Sequence, residues 1–167
     1  MLFKSKQTDA TLEFGKKLAG LLSPGMVVAL YGDLGAGKTV LSRGIARGLG
    51  ITSPVTSPTF TVAQEYALPE QRYLYHLDMY RIDDENAALA FGIDEFLFAA
   101  NAITIIEWPE RIAGLLPLGQ HLINIQMQHV NEEQRSLEIP PPIAQSLCRI
   151  GLPEGISASL ALKETLL

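Results

Sequence analysis

The stretch Gly32-Asp33-Leu34-Gly35-Ala36-Gly37-Lys38-Thr39 satisfies the spacing G-x-x-x-x-G-K-[ST], and its flanks decide what that spacing means. Upstream, Met26-Val27-Val28-Ala29-Leu30-Tyr31 is an unbroken apolar run, long enough for a strand buried on both faces. Downstream, Leu41, Ile45 and Leu49 recur at the spacing of one helix face, and Gly50 closes the run. The loop therefore joins a buried strand to a helix. Backbone N–H groups can wrap a polyphosphate only where no Cβ intervenes, and Gly35 and Gly37 provide that access. The helix N-terminus adds partial positive charge beneath the phosphates. Leu34, Gly35, Ala36, Gly37, Lys38 and Thr39 are thus the expected nucleotide-binding run. Lys38 reaches the β- and γ-phosphates, and the Thr39 hydroxyl ligates Mg²⁺, an ion held by few protein ligands plus phosphate oxygens.

Composition narrows the class further. A chain of 167 residues with 47% hydrophobic content suits one domain spanning residues 1–167 with a sizeable core. No apolar run approaches a membrane span, and Met1-Leu2-Phe3-Lys4-Ser5-Lys6 lacks the apolar stretch of a signal peptide, so the expected location is the cytoplasm, with no membrane partner. Cys148 is the only cysteine, which excludes an internal disulfide and a cysteine-rich metal site. A net charge of −5 and a pI near 5.2 argue against binding DNA or RNA alone by phosphate neutralisation; any action on RNA needs a partner that holds it.

Along the chain, a helix is expected from Thr8 or Asp9, either of which can cap it, through Phe14, Leu18, Leu21 and Leu22, with Ser23-Pro24-Gly25 ending it. The prolines and hydroxyls of residues 51–59 predict an irregular loop near the nucleotide. Residues 59–66 and 73–78 read as an antiparallel pair around a Leu68-Pro69-Glu70 turn. Asp83 starts a short helix that Gly92 terminates, and Asp94 starts another through Ala100. Ala102-Ile103-Thr104-Ile105-Ile106-Glu107 is a second buried strand ending in an acid. Ligands in open α/β sheets sit at the carboxyl ends of strands, which puts Glu107 beside the Mg²⁺. Residues 121–128 and 135–139 predict a second antiparallel pair, stopped by Pro140-Pro141-Pro142. The tail, 143–167, is apolar with weak period, fitting a short helix and a closing segment. The fold class expected is α/β: one P-loop domain whose mainly parallel central sheet is extended by antiparallel strands and flanked by helices. His76 alternates with Leu77 and reads as structural rather than catalytic, and Arg43 and Arg47 read as a solvated helix face.

Four blocks stand in the order of a known family: Gly32 to Thr39, Thr56-Ser57-Pro58-Thr59-Phe60, His76-Leu77-Asp78-Met79-Tyr80-Arg81 and Ile106-Glu107-Trp108-Pro109. Together they resemble the TsaE (YjeE) family of small bacterial ATPases needed for threonylcarbamoyladenosine formation in tRNA, over about residues 11–117. The resemblance implies ATP and Mg²⁺ as ligands, hydrolysis of ATP, and TsaD and TsaB as partners, with tRNA contacted only through them. TsaD and TsaB transfer the threonylcarbamoyl group from its adenylate to the adenosine beside the anticodon. It further implies that Thr39 and Glu107 ligate Mg²⁺, that Asp78 is required for hydrolysis beside Lys38 and Glu107, and that Trp108 lies at the site. The adenine pocket it implies is built from Thr8 and the loop 130–133 that carries Asn131.

Absences speak to the base and to the rival activities. No N-K-x-D sequence occurs, so the guanine-reading motif is missing and ATP is favoured. A small-molecule kinase would share the loop and the Mg²⁺ site but normally needs a lid, and the chain offers no arginine-rich lid segment. An ATP-sensing adaptor without turnover is the third reading.

Overall fold

The computed structural model describes residues 1–159. The chain runs β1 (Leu2–Ser5), α1 (Thr8–Ala19), β2 (Val27–Tyr31), α2 (Lys38–Gly48), β3 (Ala63–Leu68), β4 (Arg72–Asp78), α3 (Glu85–Phe91), α4 (Ile93–Leu97) and β5 (Ala102–Glu107). A 3₁₀ segment (Pro109–Leu115) leads to β6 (Leu122–His129), β7 (Arg135–Glu138), α5 (Pro141–Ile150) and β8 (Ile156–Ser159). All eight described strands form one sheet in the order β3-β4-β5-β2-β6-β7-β1-β8. The centre, β4-β5-β2-β6, is parallel, and antiparallel strands extend it at both ends. This is the α/β architecture expected from the sequence.

The apolar runs are central because the sheet has a core on each face. Val28, Leu30, Ile103 and Ile105 pack with Phe14, Leu18, Leu41 and Ile45 from α1 and α2. Val27, Leu77 and Ile106 pack on the opposite face with Ala88, Ile93 and Leu97 from α3 and α4 and Ile112 from the 3₁₀ segment. A strand covered on both sides has no face to give to polar residues, hence the loss of alternation in β2 and β5.

The helices α1 and α2 meet backbone to backbone. A Cβ on Gly15 would lie 2.7 Å from the Leu41 carbonyl oxygen, and one on Gly48 2.7 Å from the Lys16 carbonyl oxygen. A Cβ on Gly44 would overlap the Leu12 carbonyl oxygen and stand 3.0 Å from the Gly15 Cα. The close approach fixes α2, and with it the loop at its N-terminus, against the sheet.

Several local expectations need correction. The first helix is capped by Gln7, not by Thr8 or Asp9, and Gln7 makes no side-chain capping bond. Its entry is braced by buried hydroxyls: Thr11 Oγ1 donates to Ser5 Oγ at 2.8 Å, and Ser5 Oγ donates to the Gln7 carbonyl at 2.8 Å. The helix ends at Ala19 rather than Leu22. Strand β3 begins at Ala63, because Pro58 and the left-handed Val62 (φ 66°) hold the preceding residues in turns. Asp84, not Asp83, caps α3, its carboxylate accepting from the Ala87 N–H at 2.9 Å. The second short helix is α4 at Ile93–Leu97, and Gly92 in left-handed conformation separates it from α3. The tail does form a helix and a closing strand, β8 against β1, and its last residues, 160–167, lie outside those described.

Gly44→Ala tests the helix contact with two opposing terms. Intrinsic propensity favours Ala in a helix by about 1 kcal/mol, whereas overpacking against backbone that cannot rotate away costs typically about 1–3 kcal/mol. Overlap with the Leu12 carbonyl means sterics should win, so the variant should melt at lower temperature and unfold at lower urea concentration. A stabilised variant would mean that the helices stand further apart.

Candidate functional site

The loop between β2 and α2 has the backbone that its glycines permit. Gly35 and Gly37 sit at φ 81° and 95°, and Gly37 is the residue that leads into α2. Gly32, at φ 139°, is confined as well, since a Cβ there would run into the Met127 carbonyl of β6. These are conformations that side chains resist, and without a Cβ at Gly35 and Gly37 a ligand can approach the loop backbone closely.

Lys38 opens α2 and is only 5% exposed. Its ammonium donates to the carbonyls of Gly32 and, at 3.0 Å, Asp33, and lies 3.8 Å from the centroid of the Trp108 ring. Burial pushes its pKa below the usual lysine value, and the carboxylates of Glu107, Glu110, Asp78 and Asp33 pull it back up. Trp108 reaches this position because its backbone is left-handed, φ 60° and ψ 46°, directly after β5 and before Pro109. That conformation costs a non-glycine residue on the order of 1–3 kcal/mol. It turns the chain so that the indole covers Lys38 and tilts against Tyr80, ring centroids 5.0 Å apart.

The carboxylates come from adjacent parallel strands. Asp78 ends β4, Glu107 ends β5, and they are partners in register. Both are buried, 2% and 3% exposed, and each has three hydrogen-bond partners. Glu107 Oε2 accepts from Thr39 Oγ1 at 3.0 Å, while Oε1 is 2.8 Å from His76 Nε2 and 3.4 Å from Ser42 Oγ. Asp78 Oδ2 accepts from Thr59 Oγ1 at 2.6 Å and Ser57 Oγ at 3.1 Å, and Oδ1 accepts from the Tyr80 N–H at 2.9 Å. The loop after α2 is therefore tied to the second carboxylate by its hydroxyls, and Arg43 holds the same loop by donating to the Val55 carbonyl at 2.7 Å.

These groups line one cleft of about 310 Å³, bounded by the loop from Leu34 to Val40, by Ser57, Thr59, Asp78 and Tyr80, and by Glu107, Trp108 and Arg135. Of the residues expected from the sequence, Leu34, Gly35, Ala36, Gly37, Lys38, Thr39, Asp78, Glu107 and Trp108 all converge there. Thr8 and Asn131 do not line it. Thr8 is exposed at the start of α1, and Asn131 is exposed in the β6–β7 loop, where its Oδ1 accepts from the Glu133 and Gln134 N–H groups.

Val40, Ser57, Thr59, Tyr80 and Arg135 also line the cleft without having been expected as site residues, and Arg135 is the one from a distant part of the chain. Its Nη1 donates to the carbonyls of Asn131, Glu132 and Gln134, and its Nε would stand 3.6 Å from a Cβ on Gly37. No local pattern announces it, because the β6–β7 hairpin delivers it from nearly a hundred residues downstream of the loop. Ser42 had a signal: it lies three residues after Thr39, on the same side of α2.

The oxygen set fits Mg²⁺. Thr39 Oγ1 and Glu107 Oε2 are hard donors already within hydrogen-bond distance of each other, with Ser42 Oγ beside them. Among the described residues no group of three or more His, Cys, Asp and Glu gathers as a metal cage.

Comparison with known proteins identifies the family. The family model described as "Threonylcarbamoyl adenosine biosynthesis protein TsaE" matches residues 5–137. The chain is 38% identical over 138 residues to the tRNA threonylcarbamoyladenosine biosynthesis protein TsaE of Bacillus subtilis, covering 81% of this chain and 82% of that one. It is 38% identical over 133 residues to the protein of the same name from Haemophilus influenzae, covering 77% and 81%. The crystal structure of Bacillus subtilis YdiB superposes with a TM-score of 0.73 at 29% identity, covering 90% of this chain and 95% of that chain. Since the family model spans the phosphate loop, both carboxylates and the sheet that aligns them, the chain belongs to the TsaE family.

Proposed function

We propose that this protein binds ATP with Mg²⁺ and hydrolyses it, in the cytoplasm, as part of threonylcarbamoyladenosine formation beside the anticodon of tRNA. Its partners are TsaD and TsaB, which transfer the threonylcarbamoyl group from its adenylate. The observation that carries this reading is the 3.0 Å contact between Thr39, in the first turn of α2, and Glu107, at the end of β5, with Asp78 in register alongside. A phosphate loop alone binds phosphate; a carboxylate at its threonine and a second carboxylate one strand away add the parts needed for phosphoryl transfer to water.

In this reading the loop N–H groups and Lys38 hold the β- and γ-phosphates, and Thr39 and Glu107 hold the ion. Bound there, Mg²⁺ supplies positive charge against the phosphate oxygens. Asp78 orients the attacking water and takes its proton as the new bond to the γ-phosphorus forms and the bond to the β–γ bridging oxygen breaks, giving ADP and phosphate. Ser57, Thr59 and the Tyr80 N–H fix that carboxylate in place. A net charge of −5 argues against binding tRNA alone by phosphate neutralisation, which leaves the RNA to the partners.

Phosphate release from ATP and Mg²⁺, with and without TsaD and TsaB, tests the proposal. Release that rises with the partners supports it. ADP formed only with a small acceptor, which takes the phosphoryl group so that no free phosphate appears, marks a kinase, and no consumption of ATP under any condition marks an adaptor. In the supporting case Lys38→Ala, which removes one preorganised charge and leaves the backbone cradle, should lower turnover about 100-fold or more and weaken ATP binding. Unchanged release would refute the role of the loop.

The two carboxylates should separate in binding. Glu107→Ala should lose the Mg²⁺ dependence of nucleotide affinity together with turnover. Asp78→Asn keeps the shape, and the Ser57 and Thr59 hydroxyls can donate or accept, so it should retain affinity within about threefold while turnover falls about 100-fold. Calorimetry with a non-hydrolysable analogue, with and without Mg²⁺, reads the difference; the opposite pattern would exchange the two roles.

A further inference from the structure

We infer that His76 is a positioning residue that sets the orientation of the Glu107 carboxylate, presenting Oε2 to Thr39 and the metal. The inference rests on the proposed role of Glu107 at Mg²⁺.

The ring is wholly buried on the face of β4 that also carries Asp78, and its strand is bonded on both sides, to β3 and β5. It therefore has little freedom to follow the carboxylate; the carboxylate must follow the ring. Nε2 stands 2.8 Å from Glu107 Oε1, an atom that as a carboxylate oxygen offers only lone pairs, so Nε2 carries the proton and donates. Nδ1 is buried with no hydrogen-bond partner among the described residues. The ring thus spends its one bonded nitrogen on Glu107, unlike a structural histidine anchored by backbone at its other nitrogen.

The consequence follows from the two oxygens. Oε1 is held toward the sheet by His76, with Ser42 at the longer distance of 3.4 Å, and planarity then directs Oε2 to Thr39 at 3.0 Å. Without the imidazole, Ser42 is the remaining restraint on Oε1 and the carboxylate can rotate away from Thr39. Partners that orient metal ligands from behind typically change metal affinity by about 10–100-fold when removed. One strand would then serve both carboxylates: β4 supplies Asp78 outright and, two residues earlier, the group that aims Glu107.

The test is metal affinity at fixed fold. His76→Leu should raise the Mn²⁺ concentration for half-saturation about tenfold, read by electron paramagnetic resonance in the presence of a non-hydrolysable ATP analogue. Metal-free nucleotide affinity should stay unchanged. His76→Gln, whose amide nitrogen can take the place of Nε2, should restore much of the loss. On the unmodified protein without metal or nucleotide, long-range ¹H–¹⁵N correlation should show the proton on Nε2, a readout that survives if His76→Leu does not fold. A proton on Nδ1, or equal Mn²⁺ affinity in all three proteins, would overturn the inference. If the unmodified protein shows no metal-dependent nucleotide binding, both the inference and the functional reading on which it rests are refuted.

Discussion

Everything at the cleft depends on the parallel pairing of β2 with β5, which sets Leu30 opposite Glu107. Because the phosphate loop leaves β2 at its carboxyl end, the same pairing puts the last side chain of β5 against the first turn of α2. The pairing is held by burial: both strands are apolar on two faces, and a one-residue slip would send Ile105 and Glu107 to the face now occupied by Val27 and Ile106. Such a slip would bury a carboxylate among Leu77, Ile93 and Ile112 with none of its present donors. The hydrophobic core therefore selects the register, and the register assembles the site.

The site itself gathers charge where water is scarce. Lys38, Asp78 and Glu107 are each at most 5% exposed. A buried charge is tolerated when its hydrogen bonds are made, and here each carboxylate is surrounded by hydroxyls, an imidazole or a backbone N–H. Those donors serve more than solvation, since each also fixes a carboxylate rotamer. The left-handed Trp108 is a local departure of the same kind, a strained residue at the rim that encloses the lysine.

Much of this was legible because it is local. The loop pattern, the two doubly buried strands and the carboxylate that ends the second are contiguous in sequence, and β5 is found over the residues expected, Ala102–Glu107. What was not legible depends on distant pairing. Strand β1, four residues that include Lys4 and Ser5, carries no strand pattern of its own and exists because β7 and β8 flank it. Arg135 enters the cleft by a hairpin, and the contact of His76 with Glu107 requires β4 beside β5 in one register. The caps expected for α1 failed for a related reason: its entry is braced by a buried hydroxyl pair, Ser5 and Thr11, that no capping pattern describes.

The central claim, that the junction of β5 and α2 is a metal–nucleotide site, is tested most directly by locating the ion. A crystal of the protein grown with a non-hydrolysable ATP analogue and Mn²⁺ should give an anomalous peak about 2.1–2.2 Å from Thr39 Oγ1. Glu107 should bind it directly or through one water, with the triphosphate along the loop from Gly35 to Thr39. A peak on Asp78 remote from Thr39 and Glu107, or a nucleotide bound outside this cleft, would contradict the account.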